Sequence, residues 1–433
     1  MRLGELSAAG RDIDEPPLGR SVGQSPSSFS RTEAEGNTPV AEVRGTIGRH
    51  PLAIRDAKLY PSPDAPPIDR GTVLVRNGRI VAVGDGVSIP SEARVMPGEG
   101  RVVTAGFWNA HVHFTEAKWR SSARKPPALL NAQLREMLTS RGFTTVVDAG
   151  SDPRATLSLR RRIESGELLG PSIYTAGLSI FPPRGIPYYL RDSLPFWFRP
   201  FLPQPSTARA AKRITERNIA RGADLLKLFT GSYVARGKVT TMPEPIARAA
   251  ADVAHAHGQL VYSHPSNLEG THIAIRSGVD VLAHPPDTTE GVDGSVLQEM
   301  VDRRMAMIPT LKMFADTASA SPEYLDPIYE VVRQFHIFGG QLLFGTDVGY
   351  MTDYATEDEF RALSRSGMDA RGVLRMLTTA PAERFGVGQD TGSVAVGGRA
   401  DLVLLEGDPM DDLLAFARVH ATLRGGRVLY LRS

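Results

Sequence analysis

VTAGFWNAHVHF, residues 103–114, is an apolar segment that ends in a His-x-His pair. Side chains alternate between the two faces of a β-strand, so we expect His111 and His113 on the same face, two residues apart. Two imidazoles at the end of a strand suit one divalent metal ion. The pair alone is a weak signal, so its meaning depends on whether other strand ends supply further ligands.

Composition limits the class of protein. A chain of 433 residues, 41% of them hydrophobic, can bury a large core and is too long for one small domain. The net charge of +2, with mixed charges along the chain, gives little support to nucleic-acid binding. The absence of cysteine excludes disulfides and thiolate metal sites. Since no apolar run approaches the ~18 residues of a membrane helix, we expect a cytoplasmic protein without membrane contact.

The two ends of the chain have a different pattern from the middle. Residues 1–45 are polar and rich in Ser, Gly and Pro, which predicts a disordered tail. Short β-type segments follow at Leu52–Leu59, Gly71–Val75 and Arg79–Val83, and similar segments close the chain at Asp401–Leu405, Ala417–Leu423 and Arg427–Leu431. We therefore predict a small β-sandwich domain built from residues 46–101 and 388–433.

The middle, residues 102–387, alternates β-type and helical segments. Predicted strands are Val102–His111, Thr144–Ala149, Ser172–Ala176, Asp224–Phe229, Gln259–His264, Val279–His284, Met305–Pro309 and Gln341–Asp347. Helical stretches between them include Ala128–Arg141, Ala155–Ser165, Ala208–Arg221, Glu244–His257 and Gly294–Asp302. Eight such units predict an α/β fold of the (β/α)8 TIM-barrel type, with chemistry at the carboxyl ends of the strands. The alternative, a doubly wound sheet, would require a Gly-rich phosphate turn that the sequence lacks.

Ligand-capable side chains recur at the ends of these predicted strands. His264 and His284 close the fifth and sixth strands, and Asp347 closes the eighth. Lys227 lies within the apolar fourth strand, where an unpaired ammonium costs several kcal/mol to bury. Together with the first His-x-His pair they form a set of six that a barrel would bring to one mouth.

This set resembles the amidohydrolase superfamily, in its imidazolonepropionase-like and Xaa-Pro dipeptidase-like branch. The matching motifs are Ala110-His111-Val112-His113, Leu226-Lys227-Leu228-Phe229, His264, His284, Gly345-Thr346-Asp347, the run Leu377–Gly386 and the run Thr391–Val403. The likeness covers residues 50 to 433. The chain departs from the branch after His284, where Pro285-Pro286-Asp287 replaces the usual Gly on the substrate side of the site.

The resemblance implies a metal-dependent hydrolase that cleaves an amide, peptide-like or cyclic amide C–N bond. His111, His113 and Asp347 would bind one divalent ion, and His264 and His284 a second, with zinc as the expected metal. Lys227, carboxylated by CO2, would bridge them. Asp347 would also be the catalytic residue, accepting a proton from the attacking hydroxide and passing it to the leaving group.

The same motifs are consistent with other functions. A mononuclear deaminase or imidazolonepropionase-like enzyme shares the fold but does not need a lysine carbamate, and lactones or other esters suit the same machinery. A non-catalytic assembly protein on a hydrolase scaffold would usually have lost ligands that this chain retains. The expected partner is a small-molecule substrate, and barrels of this type often form homo-oligomers.

The long connection after the third predicted strand, Phe181–Phe201, is dense in aromatic, Pro and Arg residues. Long loops at a barrel mouth often cover the active site, so we predict a partial lid. Its candidate substrate-binding residues are Arg184, Tyr188, Arg191 and Trp197, the arginines for a substrate carboxylate. The alternative is that this loop serves local packing or a subunit interface.

Overall fold

The computed structural model describes residues 50–193, 196, 199–317 and 320–433. Two sequence predictions lie outside the described residues: the tail over residues 1–45 and the substrate contact of Trp197. Among the described helices, none has the length and apolar character that crossing a membrane requires. The cytoplasmic location stays a prediction.

The described strands are numbered in chain order. They are β1 (Leu52–Leu59), β2 (Ile68–Arg76), β3 (Arg79–Gly84), β4 (Arg94–Pro97), β5 (Arg101–Ala105), β6 (Phe107–Val112), β7 (Phe143–Asp148), β8 (Ser172–Thr175), β9 (Leu225–Phe229), β10 (Gly231–Ala235), β11 (Lys238–Thr241), β12 (Leu260–His264), β13 (Val281–Leu282), β14 (Ala306–Met307), β15 (Gln341–Leu342), β16 (Leu402–Glu406), β17 (Val419–Arg424) and β18 (Arg427–Leu431).

The α-helices lie mainly between the strands of the middle region. They are α1 (Pro127–Met137), α2 (Pro153–Glu164), α3 (Tyr188–Ser193), α4 (Ala208–Ala220), α5 (Glu244–Ala256), α6 (Leu268–Arg276), α7 (Gly294–Asp302), α8 (Leu311–Thr317), α9 (Pro322–Ile337), α10 (Glu357–Arg365), α11 (Ala370–Leu377) and α12 (Thr379–Arg384). Short 3-10 turns occupy Ala117–Trp119, Thr139–Arg141, Arg199–Phe201 and Leu413–Ala417. The predicted mixed α/β character is confirmed.

Both ends of the described chain meet in one eight-stranded sheet. Its order is β18-β17-β16-β5-β1-β2-β3, with β4 also paired to β1. Two of its hairpins, β2–β3 and β17–β18, turn at residues with positive φ, namely Asn77-Gly78 and Gly425-Gly426. Its apolar side chains, such as Ile54, Val103 and Leu404, form their own buried cluster. These strands form a single hydrogen-bonded sheet, and the two-layer sandwich stays a prediction.

The predicted strand Val102–His111 is wrong in one respect, because it is two strands. β5 pairs with β1 and β16 in the terminal sheet, whereas β6 pairs with β7. The division falls at Gly106, whose N–H donates to the Asp401 carbonyl at 2.8 Å. A Cβ at Gly106 would lie 2.2 Å from Thr144 Oγ1, so the chain can cross between the sheets only where this side chain is absent.

The middle region contains two parallel sheets whose edges face each other. One has the order β6-β7-β8 and the other β15-β14-β13-β12-β9. At one seam the Ala110 N–H donates to the Phe344 carbonyl at 2.7 Å. At the other seam the Ile180 N–H donates to the Lys227 carbonyl at 2.9 Å. All eight predicted strand positions are therefore occupied by extended backbone, although three ladders are only two residues long.

Each parallel strand has apolar side chains on both faces. One face contributes an inner cluster that includes Ala110, Val147, Tyr262, Ile308 and Leu343. The opposite face packs against the helices in the largest buried cluster of the described chain. Burial on both faces explains why these segments read as continuous apolar runs in the sequence. It also leaves the strand ends as the places where polar side chains can meet.

Candidate metal centre

The residues selected from the sequence lie at the carboxyl ends of the parallel strands. Those residues are His111 and His113 at the end of β6, Lys227 in β9, His264 at the end of β12, His284 two residues beyond β13 and Asp347 five residues beyond β15. Five of the six are buried, and the side chain of His113 is 16% exposed. A centre with this little access to water favours metal coordination over solvation of the individual groups.

Asp347 lies between three of the imidazoles. Its Oδ1 is 3.0 Å from His113 Nε2 and 3.4 Å from His111 Nε2. Its Oδ2 is 3.8 Å from His284 Nε2. Candidate ligand atoms of His111, His284 and Asp347 all lie within 4.8 Å of one another. The sequence analysis assigned His111 and Asp347 to one metal ion and His284 to a second ion. In the structure the ligand atoms of all three lie close together.

The histidine rings are oriented by contacts on their far nitrogens. His111 Nδ1 lies 2.9 Å from the Ala283 carbonyl, and His113 Nδ1 lies 2.8 Å from the Gly150 carbonyl. Because a carbonyl can only accept, each Nδ1 carries the proton. In the neutral form of each ring the lone pair is then on Nε2, the nitrogen nearer to Asp347, as metal ligation requires.

Thr310 performs the same task for His284. Its hydroxyl donates to the Pro309 carbonyl at 2.8 Å, and its Oγ1 lies 2.6 Å from His284 Nδ1. Since the hydroxyl proton is already engaged, Oγ1 accepts from Nδ1–H. His284 therefore also presents an unprotonated Nε2 to the centre.

The carboxylate of Asp347 is incompletely satisfied without a cation. Its Oδ1 is buried and accepts no hydrogen bond from the described residues. Leaving such an oxygen unpaired costs about 1–3 kcal/mol, and more when it is charged. The residue also has a left-handed φ of 58°, which aspartate tolerates better than most side chains. An unpaired carboxylate oxygen among imidazole lone pairs fits a divalent cation.

Electrostatics keep most of these imidazoles neutral. Burial, together with the nearby Lys227, holds the pKa of His111 well below its ordinary value and lowers that of His264 to about 3. Burial and the neighbouring imidazoles likewise hold the pKa of His284 well below its ordinary value. Burial also acts against the charge on His113, but the Asp347 carboxylate outweighs it and raises that pKa. Neutral imidazole is the form that binds metal.

Lys227 is the most unusual member of the centre. It is 2% exposed, and burial lowers its pKa to about 7, against the opposing attraction of Asp347. Its Nζ lies 5.5 Å from the centroid of the Phe229 ring, which in turn stacks on His264 at 4.9 Å. A substantial neutral fraction at pH 7 makes this amine nucleophilic, whereas an ordinary lysine is almost fully protonated.

Three of the four predicted substrate contacts fall on described residues. Arg184 is exposed. Arg191 pairs with the Asp192 carboxylate at 2.9 Å and donates to the Val234 carbonyl at 3.2 Å. Tyr188 packs edge-on against Tyr189, with ring centroids 5.6 Å apart. Arg191 is thus engaged with its own loop and β10, and the substrate role of all three stays a prediction.

The structure adds side chains that the sequence reasoning did not assign. Asp287 Oδ1 lies 4.0 Å from His264 Nε2, and burial raises the pKa of this carboxyl to about 7. The rings of Tyr189 and Tyr350 lie 5.4 Å apart. Burial raises the pKa values of both tyrosines, and the charges of Asp287 and Asp347 raise them further. One signal was present in the sequence, since Asp287 belongs to the departure that follows His284. Nothing local distinguished Tyr189 from its neighbour Tyr188.

Comparison with known proteins gives relatives of matching architecture. An ochratoxinase of Aspergillus niger is 22% identical over 412 residues, which cover 84% of each protein. A solved Xaa-Pro dipeptidase superposes with a TM-score of 0.74 at 22% identity, covering 88% of this chain and all of that one. A solved putative prolidase from Bifidobacterium longum gives 0.72 at 25% identity, covering 88% and 94%. These likenesses imply a TIM-barrel-like α/β fold.

The family assignment rests on most of the chain. The profile described as the amidohydrolase family matches residues 102–429, which include all six strand-end residues. The predicted superfamily is confirmed by this match. The solved Xaa-Pro dipeptidase shares the fold, in agreement with the predicted branch. On this match over most of its length, the chain belongs to the amidohydrolase family and is a hydrolase of C–N bonds.

Proposed function

We propose that the protein is a binuclear metal-dependent hydrolase of an amide, peptide-like or cyclic amide bond. The observation that carries the proposal is Lys227, a buried amine with its pKa lowered to about 7, in the same centre as four histidines and Asp347. Its neutral nitrogen would attack the carbon of CO2 and lose a proton, giving a carbamate. A buried cation would thereby become an anion with two oxygen ligands.

The residues divide into two ligand sets with one bridge. His111, His113 and Asp347 would hold one divalent ion, with zinc as the expected metal. His264 and His284 would hold the second. The carbamate of Lys227 would supply oxygen ligands to both ions.

The chemistry then follows from the positions of the side chains. When bound, the two ions would activate a water molecule and polarise the substrate carbonyl. Asp347 would accept the water proton on a carboxylate oxygen and return it to the leaving nitrogen, which cannot depart as an anion. The Nδ1 contacts of His111 and His113 would hold both rings still while charge develops.

The names of the relatives agree with this reaction class. A dipeptidase, a putative prolidase and an ochratoxinase are among the proteins of matching architecture. A small-molecule substrate with a C–N bond at a carbonyl is the chemistry consistent with that group and with the buried centre. Lactones and other esters remain alternatives, because the same attack would serve a C–O bond.

We also propose that the two parallel sheets form one closed (β/α)8 barrel. The hydrogen bonds at both seams, and the inner cluster to which strands of both sheets contribute, support closure. The terminal sheet would fold into the second domain, a β-sandwich of residues 46–101 and 388–433. Since β5 pairs within that sheet, the boundary between the domains belongs at Gly106 rather than at residue 101.

A mononuclear deaminase or imidazolonepropionase-like enzyme is the second candidate. The compact group of His111, His284 and Asp347, with ligand atoms within 4.8 Å of one another, favours it. One ion in that space would use ligands from both predicted sets. Metal stoichiometry therefore separates the two candidates.

The test combines metal analysis with a substrate screen. Purified protein reconstituted with zinc and bicarbonate should bind two equivalents of metal per chain. It should hydrolyse members of a panel of N-acyl amino acids, Xaa-Pro and other dipeptides, and small lactams. Reconstitution without bicarbonate should leave the second equivalent weakly bound. One tight equivalent, no effect of bicarbonate and ammonia release from aminated heterocycles would instead establish the mononuclear candidate.

A further inference from the structure

Asp148, the last residue of β7, is a buried carboxylate that the proposed reaction does not use. It is fully buried, and it pairs in register with Val112, the residue between His111 and His113. A carboxylate is costly to bury unless donors surround it. Its donors therefore show what the group does in the fold.

The two oxygens of Asp148 have different partners. Oδ2 accepts from Thr156 Oγ1 at 3.0 Å and from Thr175 Oγ1 at 2.8 Å. Oδ1 accepts from Ser151 Oγ at 2.5 Å and from the Gly150 N–H at 3.2 Å. Oδ2 thus joins β7 to α2 and to the end of β8, whereas Oδ1 holds the connection that follows β7.

That connection contacts His113 and its neighbour in the chain. The Gly150 carbonyl accepts from Nδ1–H of His113 at 2.8 Å, and Ser151 Oγ accepts from the N–H of Phe114 at 2.8 Å. Since the Ser151 hydroxyl proton is engaged by Asp148, the hydroxyl oxygen is left as an acceptor for Phe114. The ring of His113 and the backbone that follows it are therefore both held by partners of one carboxylate oxygen.

The backbone at Gly150 depends on this support. Its φ of 138° is rarely adopted by residues with a side chain, and a Cβ there would lie 2.2 Å from Ser179 Oγ. Because glycine also has the greatest backbone freedom, hydrogen bonds are needed to hold its carbonyl in one direction. The Gly150 N–H is held by Asp148, and the carbonyl of the same residue contacts His113.

We infer that Asp148 is a positioning residue, which fixes His113 for metal binding through Gly150 and Ser151. The inference rests on the proposed function, because it takes His113 as a metal ligand. Partners that orient a ligating imidazole contribute about 10- to 100-fold to metal affinity. Asp148 acts one step further out, since it holds the residue that accepts the imidazole proton.

The test measures metal affinity rather than activity. The affinity for each zinc equivalent is determined by competition with a chromophoric chelator. Ser151→Ala removes the contact to Phe114 and keeps the carboxylate, so it should weaken one equivalent by at least about tenfold and the other by less than about threefold. Asp148→Asn should weaken the same equivalent by about 100-fold, because an amide cannot accept from donors on both of its sides.

Thr156→Val is the matched control. It removes a buried hydroxyl that also donates to Asp148, but to Oδ2, the oxygen that does not hold Gly150 or Ser151. Both zinc affinities should stay within about twofold of wild type. An effect as large as that of Ser151→Ala would overturn the inference, because the whole network would then have only a structural role. Equal weakening of both equivalents in Ser151→Ala would overturn it too.

A double-mutant cycle tests whether the effect passes through His113. In a His113→Ala background, Ser151→Ala should change the remaining zinc affinity by less than about twofold, because the residue that it positions is gone. A loss as large as in wild type would overturn the inference. This cycle and Thr156→Val decide the matter even if Asp148→Asn does not fold. A single zinc equivalent in wild type would remove the binuclear function, while the cycle would still decide the role of Asp148.

Discussion

Lys227 and Lys312 are both buried lysines, and their surroundings differ sharply. Lys312 is 5% exposed, and its ammonium donates to the Asp353 carboxylate at 2.6 Å and to the Ala355 carbonyl at 3.0 Å. Lys227 lies instead against the Phe229 ring, and burial lowers its pKa to about 7. The ammonium of Lys312 is stabilised by its partners, whereas the burial of Lys227 has a cost in the stability of the folded protein. Such a cost is typical of a functional group.

Replacing Lys227 should therefore separate stability from metal binding. Lys227→Met removes a poorly solvated amine and keeps much of its volume. We expect the free energy of unfolding of the metal-free protein to rise by about 2 kcal/mol. The same variant should bind no more than one metal equivalent and lose hydrolytic activity. Denaturant unfolding in the presence of a chelator and metal analysis are the two measurements.

Lys312→Met is the matched control for this prediction. It leaves a carboxylate and a carbonyl without their donor, so the free energy of unfolding should fall by about 2 kcal/mol. Its metal content should equal that of wild type. If both variants destabilise the metal-free protein alike, then Lys227 is not the strained residue described above.

At the scale of secondary-structure elements, helices α8 and α10 hold in place a residue that orients His284. Thr310, which orients His284, immediately precedes α8. The first turn of α8 is held by α10, because the Lys312 N–H donates to Glu359 Oε2 at 2.7 Å. Glu359 is 1% exposed, and burial raises its pKa to about 7, although the backbone N–H groups of Lys312 and Leu311 act in the opposite direction. The position of His284 thus depends on a carboxyl group that titrates near neutral pH.

This carboxyl predicts a defined pH dependence of stability. In the unfolded chain Glu359 ionises near its ordinary pKa of 4.5, and in the folded protein near 7. Between these values the folded state binds more protons, so stability falls as pH rises from about 4.5 to about 7. Relative to Glu359→Gln, wild type should lose about 3 kcal/mol of unfolding free energy between pH 4 and pH 8.

Denaturant unfolding at several pH values checks this expectation. Asp358→Asn, which removes an exposed carboxylate from the same helix, should follow the wild-type profile. Parallel profiles for wild type and Glu359→Gln would mean that Glu359 does not titrate in this window.

At the scale of the whole molecule, the two ends of the described chain depend on each other. β5 lies between β1, from the beginning of the described chain, and β16, from its end. The terminal sheet also contacts the parallel strands and their helices, since Arg424 reaches Glu164 in α2 at 2.5 Å and Ser172 in β8 at 2.9 Å. The sheet is therefore completed only when both ends are present.

Truncation should expose this dependence. Deleting residues 400–433 removes β16, β17 and β18 and uncovers the apolar edge of β5, including Val103 and Ala105. An uncovered apolar edge favours aggregation, so we expect little soluble protein and no cooperative thermal transition. Deleting residues 1–45, which composition predicts to be disordered, should leave the melting temperature within about 2 °C of wild type. A cooperative transition in the first deletion would contradict the expectation.

Much of the architecture could be predicted from local patterns in the amino-acid sequence. Apolar runs of strand length and the helices between them predicted eight strand positions and the polar residues that end them, because strand pairing and burial leave few other places for a histidine or an aspartate. The division of the first predicted strand at Gly106 could not be predicted from the sequence, because the side chain that leaves no room for a Cβ there belongs to Thr144, on another strand.

The sequence by itself determined the mixed α/β character, the family and the ligand-capable residues at the strand ends, since these follow from alternation, burial and residue type. Only the tertiary structure decided what surrounds those residues. Asp287, Tyr189 and Tyr350 come together from three separate connections. Their approach to Asp347 depends on the path of each loop across the ends of the strands. Long-range packing sets that path, and a local pattern carries no record of it.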